Sequence, residues 1–213
     1  MDGAYKLCGV ILSAGASSRM GRDKALLPWP PVASSSLLAG CETLLSAAIA
    51  ALRPFTEAVI VVAGNNADLI TPVIASNGAS IVRNPAPERG QFSSLQVGLQ
   101  EVLTRGYEAA MITLVDCPPL CRASMEKLSH SFEQALANGR WGAAPEHDGK
   151  RGHPLAVGRE LIDAFLAAPV TSNARAVKRA HAGMIETVPV LDSLVSVDVN
   201  TPGEYAGLSG SQG

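Results

Sequence analysis

The sequence predicts an α/β fold, a three-layer α/β/α arrangement around a mostly parallel sheet, and three observations carry that prediction. Short apolar runs alternate along the chain with longer segments of helical period. Those runs are continuously apolar rather than alternating, which marks strands covered on both faces. The first run empties directly into a loop of small residues and glycine, the device by which α/β folds turn backbone N–H groups toward an anion.

Taken in order, residues 9–12 are apolar and form the first strand, and residues 44–52 carry Leu45, Ile49 and Leu52 at helical spacing. Residues 58–63 are a β-branched run closed by Gly64, followed by a helix over 67–76 and a short strand over 80–82. A helix over 93–103, a strand over 110–115 and a helix over 124–137 come next. Strands over 154–157, 187–190 and 196–199 complete the sheet, with a helix over 174–182 between them. Residues 28–36, rich in Pro and Ser, are too polar and broken to pack and are expected to form a mobile loop. Residues 1–208 make one domain, and 209–213 read as a disordered tail.

Composition narrows the function classes. With 213 residues, 47% of them hydrophobic, the chain can bury a full core. A net charge of −2 argues against a nucleic-acid partner, which asks for a broad basic excess. The chain contains no apolar window of about 18 residues and no signal-peptide layout, so it reads as cytoplasmic, with no membrane partner. Cys8 and Cys41 read as small core residues, and the Cys117/Cys121 pair has neither redox nor zinc spacing.

The loop after the first strand runs Leu12-Ser13-Ala14-Gly15-Ala16-Ser17-Ser18-Arg19-Met20-Gly21-Arg22-Asp23-Lys24. It is not a Walker loop, because Gly15 and Gly21 are too far apart and Lys24 does not follow the second glycine. The dinucleotide fingerprint fails as well, since the third glycine is missing and Arg19, Arg22 and Lys24 bring three cations. Cations beside a nest of N–H groups suit a triphosphate. A plain strand-to-helix turn with a solvated basic rim is the competing reading.

Two carboxylates follow apolar runs at strand ends, Asp116 and Asp198, where open α/β sheets place ligands. Mg2+ takes one or two carboxylates together with phosphate oxygens and water, so the pair is the candidate metal site. Asp116 also fits a cap for the following helix, and Asp198 fits a turn start.

The pattern from Ala14 and Gly15 through Arg19, Met20, Gly21 and Lys24 to Pro28 resembles the signature of the MobA-like NTP transferases, most closely their molybdenum cofactor cytidylyltransferase branch. Further pieces fit in the same order: Asn84-Pro85 with Gly90 and Ser94, then Asp116-Cys117-Pro118, then Arg151-Gly152-His153-Pro154, then Asp198-Val199-Asn200. The resemblance implies a Rossmann-like nucleotidyltransferase fold that moves a nucleoside monophosphate, CMP from CTP, onto a phosphorylated acceptor such as molybdopterin. Sugar phosphates and other small phosphorylated acceptors stay open, as does a nucleotide-binding accessory protein without turnover. A molybdoenzyme or chaperone partner is also implied. A dehydrogenase is disfavoured by the missing fingerprint.

In that reading Arg19, Lys24 and Asp116 are catalytic, with Mg2+ on Asp116 and Asp198. The nucleotide is held by Leu12, Ala14, Gly15, Ser17, Ser18, Arg19, Gly21, Lys24, Arg83, Asn84 and Ser94, although Ser94 also fits a helix N-cap. Gly152, His153 and Asn200 face the acceptor, with Gly152 allowing close approach; His153 equally fits a loop histidine bonded to backbone. His130, His147 and His181 read as solvated. Where relatives carry Gly-Asp-x-Gly near the acceptor pocket, this chain has Thr171-Ser172-Asn173-Ala174-Arg175. The donor signature is mixed: Ala14-Gly15 follows the cytidylyl pattern and Leu12 the guanylyl one. Glu88 is the single acid between Asp68 and Gln100 for guanine's N–H groups, which favours CTP.

Overall fold

Apolar strands and amphipathic helices assemble in the computed structural model, which describes residues 6–15, 20–31 and 42–208. The parallel half contains β1 (Leu7–Ser13), α1 (Leu44–Leu52), β2 (Ala58–Ala63), α2 (Ala67–Ser76), β3 (Ser80–Arg83), α3 (Gln91–Thr104), β4 (Ala109–Leu114) and α4 (Arg122–Ala137). The second half contains β5 (Gly142–His147), β6 (Lys150–Arg151), β7 (Leu155–Val157), α5 (Arg159–Ala167), α6 (Ala174–Ala180), β8 (Ile185–Pro189) and α7 (Pro202–Gly207).

The strands form one sheet in the order β3-β2-β1-β4-β7-β5-β6, with β8 paired to β5. β1 pairs in parallel with both β2 and β4, whereas β7 is antiparallel to β4 and to β5. All strands except β6 and β7 therefore run the same way, and the sheet is mostly parallel. From β1 the chain builds outward on one side to β3, then returns to place β4 on the other side. That reversal opens a crevice at the carboxyl ends of β1 and β4, the ligand position of open α/β sheets.

Alternation along β1 divides the core into two layers. Ile11 packs with Leu45, Ile49, Ile70, Leu128 and Phe132 under α1, α2 and α4. Val10 and Leu12 pack with Leu95, Leu99, Leu161 and Phe165 under α3 and α5. Each such buried side chain contributes about 1.5–3 kcal/mol, which is what fixes the strand ends that carry the loops.

The second half departs most from the sequence expectation. Residues 196–199 are not a strand: Ser193–Ser196 is a 3-10 turn capped by Asp192, and the chain beyond it makes one backbone bond to the end of β4, from Val199 N–H to the Asp116 carbonyl at 2.8 Å. β5, with no β-branched residue, was not expected; its place between β7 and β8 makes it a strand. α5 carries no start signal, because the residue before it is Gly158 with no side-chain cap, yet it buries Leu161, Ile162 and Phe165. α7 did carry a signal, Thr201 and Glu204 in a capping box with Pro202 in the first turn.

The Pro-rich loop packs at its start. Trp29 N–H donates to the Glu42 carbonyl at 2.8 Å, and the Trp29 ring is buried against Met20, Leu27, Leu44 and Val199. Residues 32–36, Cys41 and the tail 209–213 lie outside the described residues. Cys8, Cys117 and Cys121 are free thiols, and burial pushes Cys8 up to about 12. His147 is half-buried rather than solvated, its Nδ1 lying 3.0 Å from the Val190 carbonyl, and His181 stacks on Trp141 at 4.9 Å between ring centroids. Among the described residues, no helix is long and apolar enough to cross a membrane.

Candidate active site

The crevice is a cleft of about 810 Å³ lined from both sides of the switch point. Leu12, Ser13, Ala14 and Gly15 come from the end of β1, Asp23 and Lys24 from the loop behind it, Val115 and Asp116 from the end of β4, and Asn200 from the second half. Pro87, Glu88, Gly90, Gln91 and Ser94 close the remaining wall.

Lys24 is the centre of this geometry. Its Nζ donates to Asp116 Oδ2 at 2.8 Å and to Asn200 Oδ1 at 3.0 Å, so one ammonium ties the three segments together. The side chains of Lys24 and Asp116 are only 13% and 21% exposed, which strengthens their attraction over that of a surface pair. Asp116 does not cap α4: that helix begins after Cys121, whose N–H donates to Asp192 Oδ2 at 2.7 Å. Asn200 is held in turn by α7, because Glu204 Oε2 accepts from the N–H groups of Asn200 and Thr201 at 2.8 and 2.9 Å. Those N–H groups, Asn200's first, hold the Glu204 carboxyl below its ordinary range.

Asn66, which no motif singles out and which stands just after β2, fixes the other edge. Its Nδ2 donates to the Ser13 carbonyl at 2.9 Å and to Asp23 Oδ2 at 2.7 Å, while Asp23 Oδ1 accepts from Ala25 N–H. The Ser13 hydroxyl is buried without a hydrogen-bond partner at the end of β1.

The wall opposite is the start of α3. Its cap is Gly90, not Ser94, and φ of +90° there is backbone that glycine adopts freely. The fourteen-residue helix points its N-terminus, and the partial positive charge that goes with it, at the cleft. Asn84 is buried and does not line the cleft: its Nδ2 donates to the hydroxyls of Ser93 and Ser94, both at 2.9 Å, and so braces the loop. Arg83 pairs with Asp68 outside the cleft.

Gly152 corrects an expectation. A Cβ there would lie 1.5 Å from the Val195 carbonyl oxygen, so the close neighbour that demands glycine is the 193–196 turn and not a ligand. His153 is half-buried beside the carboxyl end of β4, its Nδ1 lying 3.3 Å from the Ile112 carbonyl, and neither residue lines the cleft. Burial, and after it the charge of Lys178, pushes the His153 pKa down. Ser17, Ser18 and Arg19 lie outside the described residues, and Gly21, at φ +69°, is described but does not line the cleft.

The two candidate metal carboxylates come from neighbouring segments, joined by the bond from Val199 N–H to the Asp116 carbonyl. One oxygen of Asp116 accepts from Lys24, and Asp198 Oδ1 accepts from the Cys117 thiol at 3.2 Å. Burial first, then Asp198 and Asp116, push the Cys117 pKa far up, so the sulfur keeps its proton. Among the described residues, no group of three or more His, Cys, Asp or Glu side chains forms a ready cage. Asp116 lines the cleft and Asp198, although exposed, does not; two such oxygen donors without a cage would suit a hard cation that completes its shell with phosphate oxygens and water.

This cleft, opened at a switch point and floored by a lysine between a carboxylate and an amide, agrees with the comparison against known families. The model described as the MobA-like NTP transferase domain matches residues 9–185. The chain belongs to this family. It is similar to the molybdenum cofactor cytidylyltransferase of Escherichia coli strain K12, 26% identical over 198 residues, or 92% of each chain. It is 30% identical over 130 residues to a probable molybdenum cofactor guanylyltransferase of Mycobacterium avium, covering 61% of this chain and 59% of that one. Among solved structures, Rv0371c of Mycobacterium tuberculosis H37Rv in complex with manganese shares the fold, with a TM-score of 0.71, 22% identity and coverage of 97% and 100%. Like the curated relatives, this MobA-like chain is a nucleotidyltransferase.

Proposed function

We propose that the protein transfers CMP from CTP to a phosphorylated acceptor of the molybdopterin type and releases pyrophosphate. The observation that carries this reading is the Lys24 ammonium between Asp116 and Asn200 on the cleft floor, at 2.8 and 3.0 Å. An acceptor phosphate is already anionic, so its attack on the α-phosphorus of the donor needs alignment and charge neutralisation rather than a strong base. Lys24 turns from its apo partners to the α-phosphate and the incoming oxygen, and Arg19 takes the β- and γ-phosphates. Asn200 lends its amide to the acceptor side. Asp116 and Asp198 hold Mg2+, which when bound neutralises charge on the reacting phosphates. The manganese in the M. tuberculosis neighbour supports use of a divalent cation.

Two things support CTP: the Ala14-Gly15 signature and the relative from E. coli, named as a cytidylyltransferase and aligned over 92% of this chain. One observation favours GTP instead. Glu88 lines the cleft beside Gln91 and Ser94, which puts a carboxylate on the wall where guanine's N1–H and amine would look for one. Calorimetric titration with CTP and GTP in Mg2+, followed by pyrophosphate release with a panel of phosphorylated acceptors, decides between them. Tighter GTP binding overturns the CTP assignment, and turnover with no acceptor in the panel but a sugar phosphate overturns the acceptor.

A further inference from the structure

We infer that Cys117 is a positioning residue that orients the Asp198 carboxylate for a divalent cation. The inference rests on the reading of Asp116 and Asp198 as the metal pair. Asp198 is exposed, and it stands on a stretch of chain with no regular secondary structure. A carboxylate so placed samples several rotamers, whereas Mg2+ accepts only near-octahedral geometry with short bonds. Something must fix the carboxylate before the ion arrives.

Two contacts do so, and both come from the turn that ends β4. The backbone contact runs from Val199 N–H to the Asp116 carbonyl at 2.8 Å and sets the height of the 198–200 segment against that turn. The side-chain contact runs from the Cys117 thiol to Asp198 Oδ1 at 3.2 Å and sets the direction of the carboxylate. Cys117 is itself 5% exposed and locked by its surroundings, so it is a rigid anchor for an otherwise mobile group. Its backbone N–H is also fixed, donating to the Leu114 carbonyl at 3.1 Å. One short stretch of chain thus supplies the first carboxylate at Asp116 and the handle on the second at the next residue.

A neutral donor suits this place. An ammonium or guanidinium at Cys117 would compete with the cation for Asp198, and a carboxylate would repel it. A thiol gives a hydrogen bond without adding charge, and it leaves the second oxygen of Asp198 for the ion. Loss of a partner of this kind, one bond removed from a metal, typically costs about 10- to 100-fold in metal affinity or activity.

The test is Mn2+ binding to the whole protein without nucleotide, read by the electron paramagnetic resonance signal of the free ion, for the parent, Cys117→Ala, Cys117→Ser and Asp198→Asn. Cys117→Ala weakens Mn2+ binding about tenfold, the lower end for such partners because a thiol is a weak donor. Cys117→Ser, whose hydroxyl can donate to the same oxygen, restores the affinity to within about threefold of the parent. Asp198→Asn weakens it at least as much as Cys117→Ala. Parent-like Mn2+ affinity in Cys117→Ala, with binding lost in Asp198→Asn, overturns the role of Cys117 and leaves the metal pair standing. Equal weakening in the Ser and Ala variants also overturns it, because it assigns the effect to packing. Parent-like affinity in Asp198→Asn overturns the metal reading itself, and the inference with it. Thermal unfolding of each variant identifies any that fails to fold; if Cys117→Ala does, Cys117→Val, which fills the site without a donor, carries the test, and parent-like Mn2+ affinity in it overturns the role of Cys117.

Discussion

The two sides of the cleft are built by different means. On one side, loops leave the ends of the parallel strands β1, β3 and β4 and line the cleft: Gly15 and Lys24 follow β1, Gly90 follows β3 and Asp116 follows β4. On the other side, residues 142–200 wind through short strands of both directions and 3-10 turns, and the residues that look most functional in the sequence hold the chain to itself. Gly152 accommodates a carbonyl of the same chain, and His153 bonds the backbone of β4. Asn200 is the residue that this half contributes to the floor. A motif read at the end of a buried strand therefore points to a ligand, whereas a Gly-His-Pro loop in a region of poor periodicity need not.

The largest expected effect lies on the first side. Lys24→Ala removes the ammonium that the proposed transfer uses in the transition state, and turnover should fall about 1000-fold, the upper range for loss of one electrostatic stabiliser. Stability should fall by about 2 kcal/mol, because Asp116, only 21% exposed, is left without the ammonium that balances its charge. Pyrophosphate release and urea denaturation measure the two separately. A variant that turns over like the parent removes Lys24 from the mechanism and the contrast between the two sides with it.

This contrast also explains how much was legible in the sequence. The parallel half was readable because β1, β2 and β4 are continuous apolar runs, so each strand end, and the loop on it, could be placed by counting. α3 was misjudged only at its start, since the glycine that caps it gives a weaker signal than the serines just inside. Beyond residue 140, β5 lacks β-branched residues and α5 lacks a cap, so tertiary neighbours rather than local preference decide those elements. Asn66 was invisible as a member of the site, and Glu88 stood out only as a lone acid and not as part of the cleft wall, because their roles depend on what β2 and α3 bring beside them. The hydrogen bond between Cys117 and Asp198 joins positions too far apart in the chain for any spacing rule to find.

The next test is aimed at the second side. Gly152→Ala should cost about 3 kcal/mol, the upper end for an overpacked site, because backbone rather than a yielding side chain stands where its Cβ would go. Chemical denaturation reads this directly. If the variant keeps the parent's stability and loses turnover instead, Gly152 makes room for the acceptor after all, and the two sides of the cleft are more alike than the geometry says.

The smallest effect sharpens the same contrast through pH. Because the Ile112 carbonyl can only accept, His153 Nδ1 carries the proton, and burial together with Lys178 keeps the folded ring neutral below its ordinary value of 6.5. The unfolded chain meanwhile binds a proton at His153 as pH falls through about 6.5, so acid draws the equilibrium toward unfolding. The stabilising contribution is full above that value and is lost as pH drops toward the lowered folded pKa, with a slope of up to about 1.4 kcal/mol per pH unit from this one ring. His153→Asn lacks the titrating group, so the difference in unfolding free energy between parent and variant should shrink as pH falls from 7.5 to 5. A difference that stays constant across that range would show a ring that titrates as it does in water, open to the cleft in the way an acceptor-facing histidine would be.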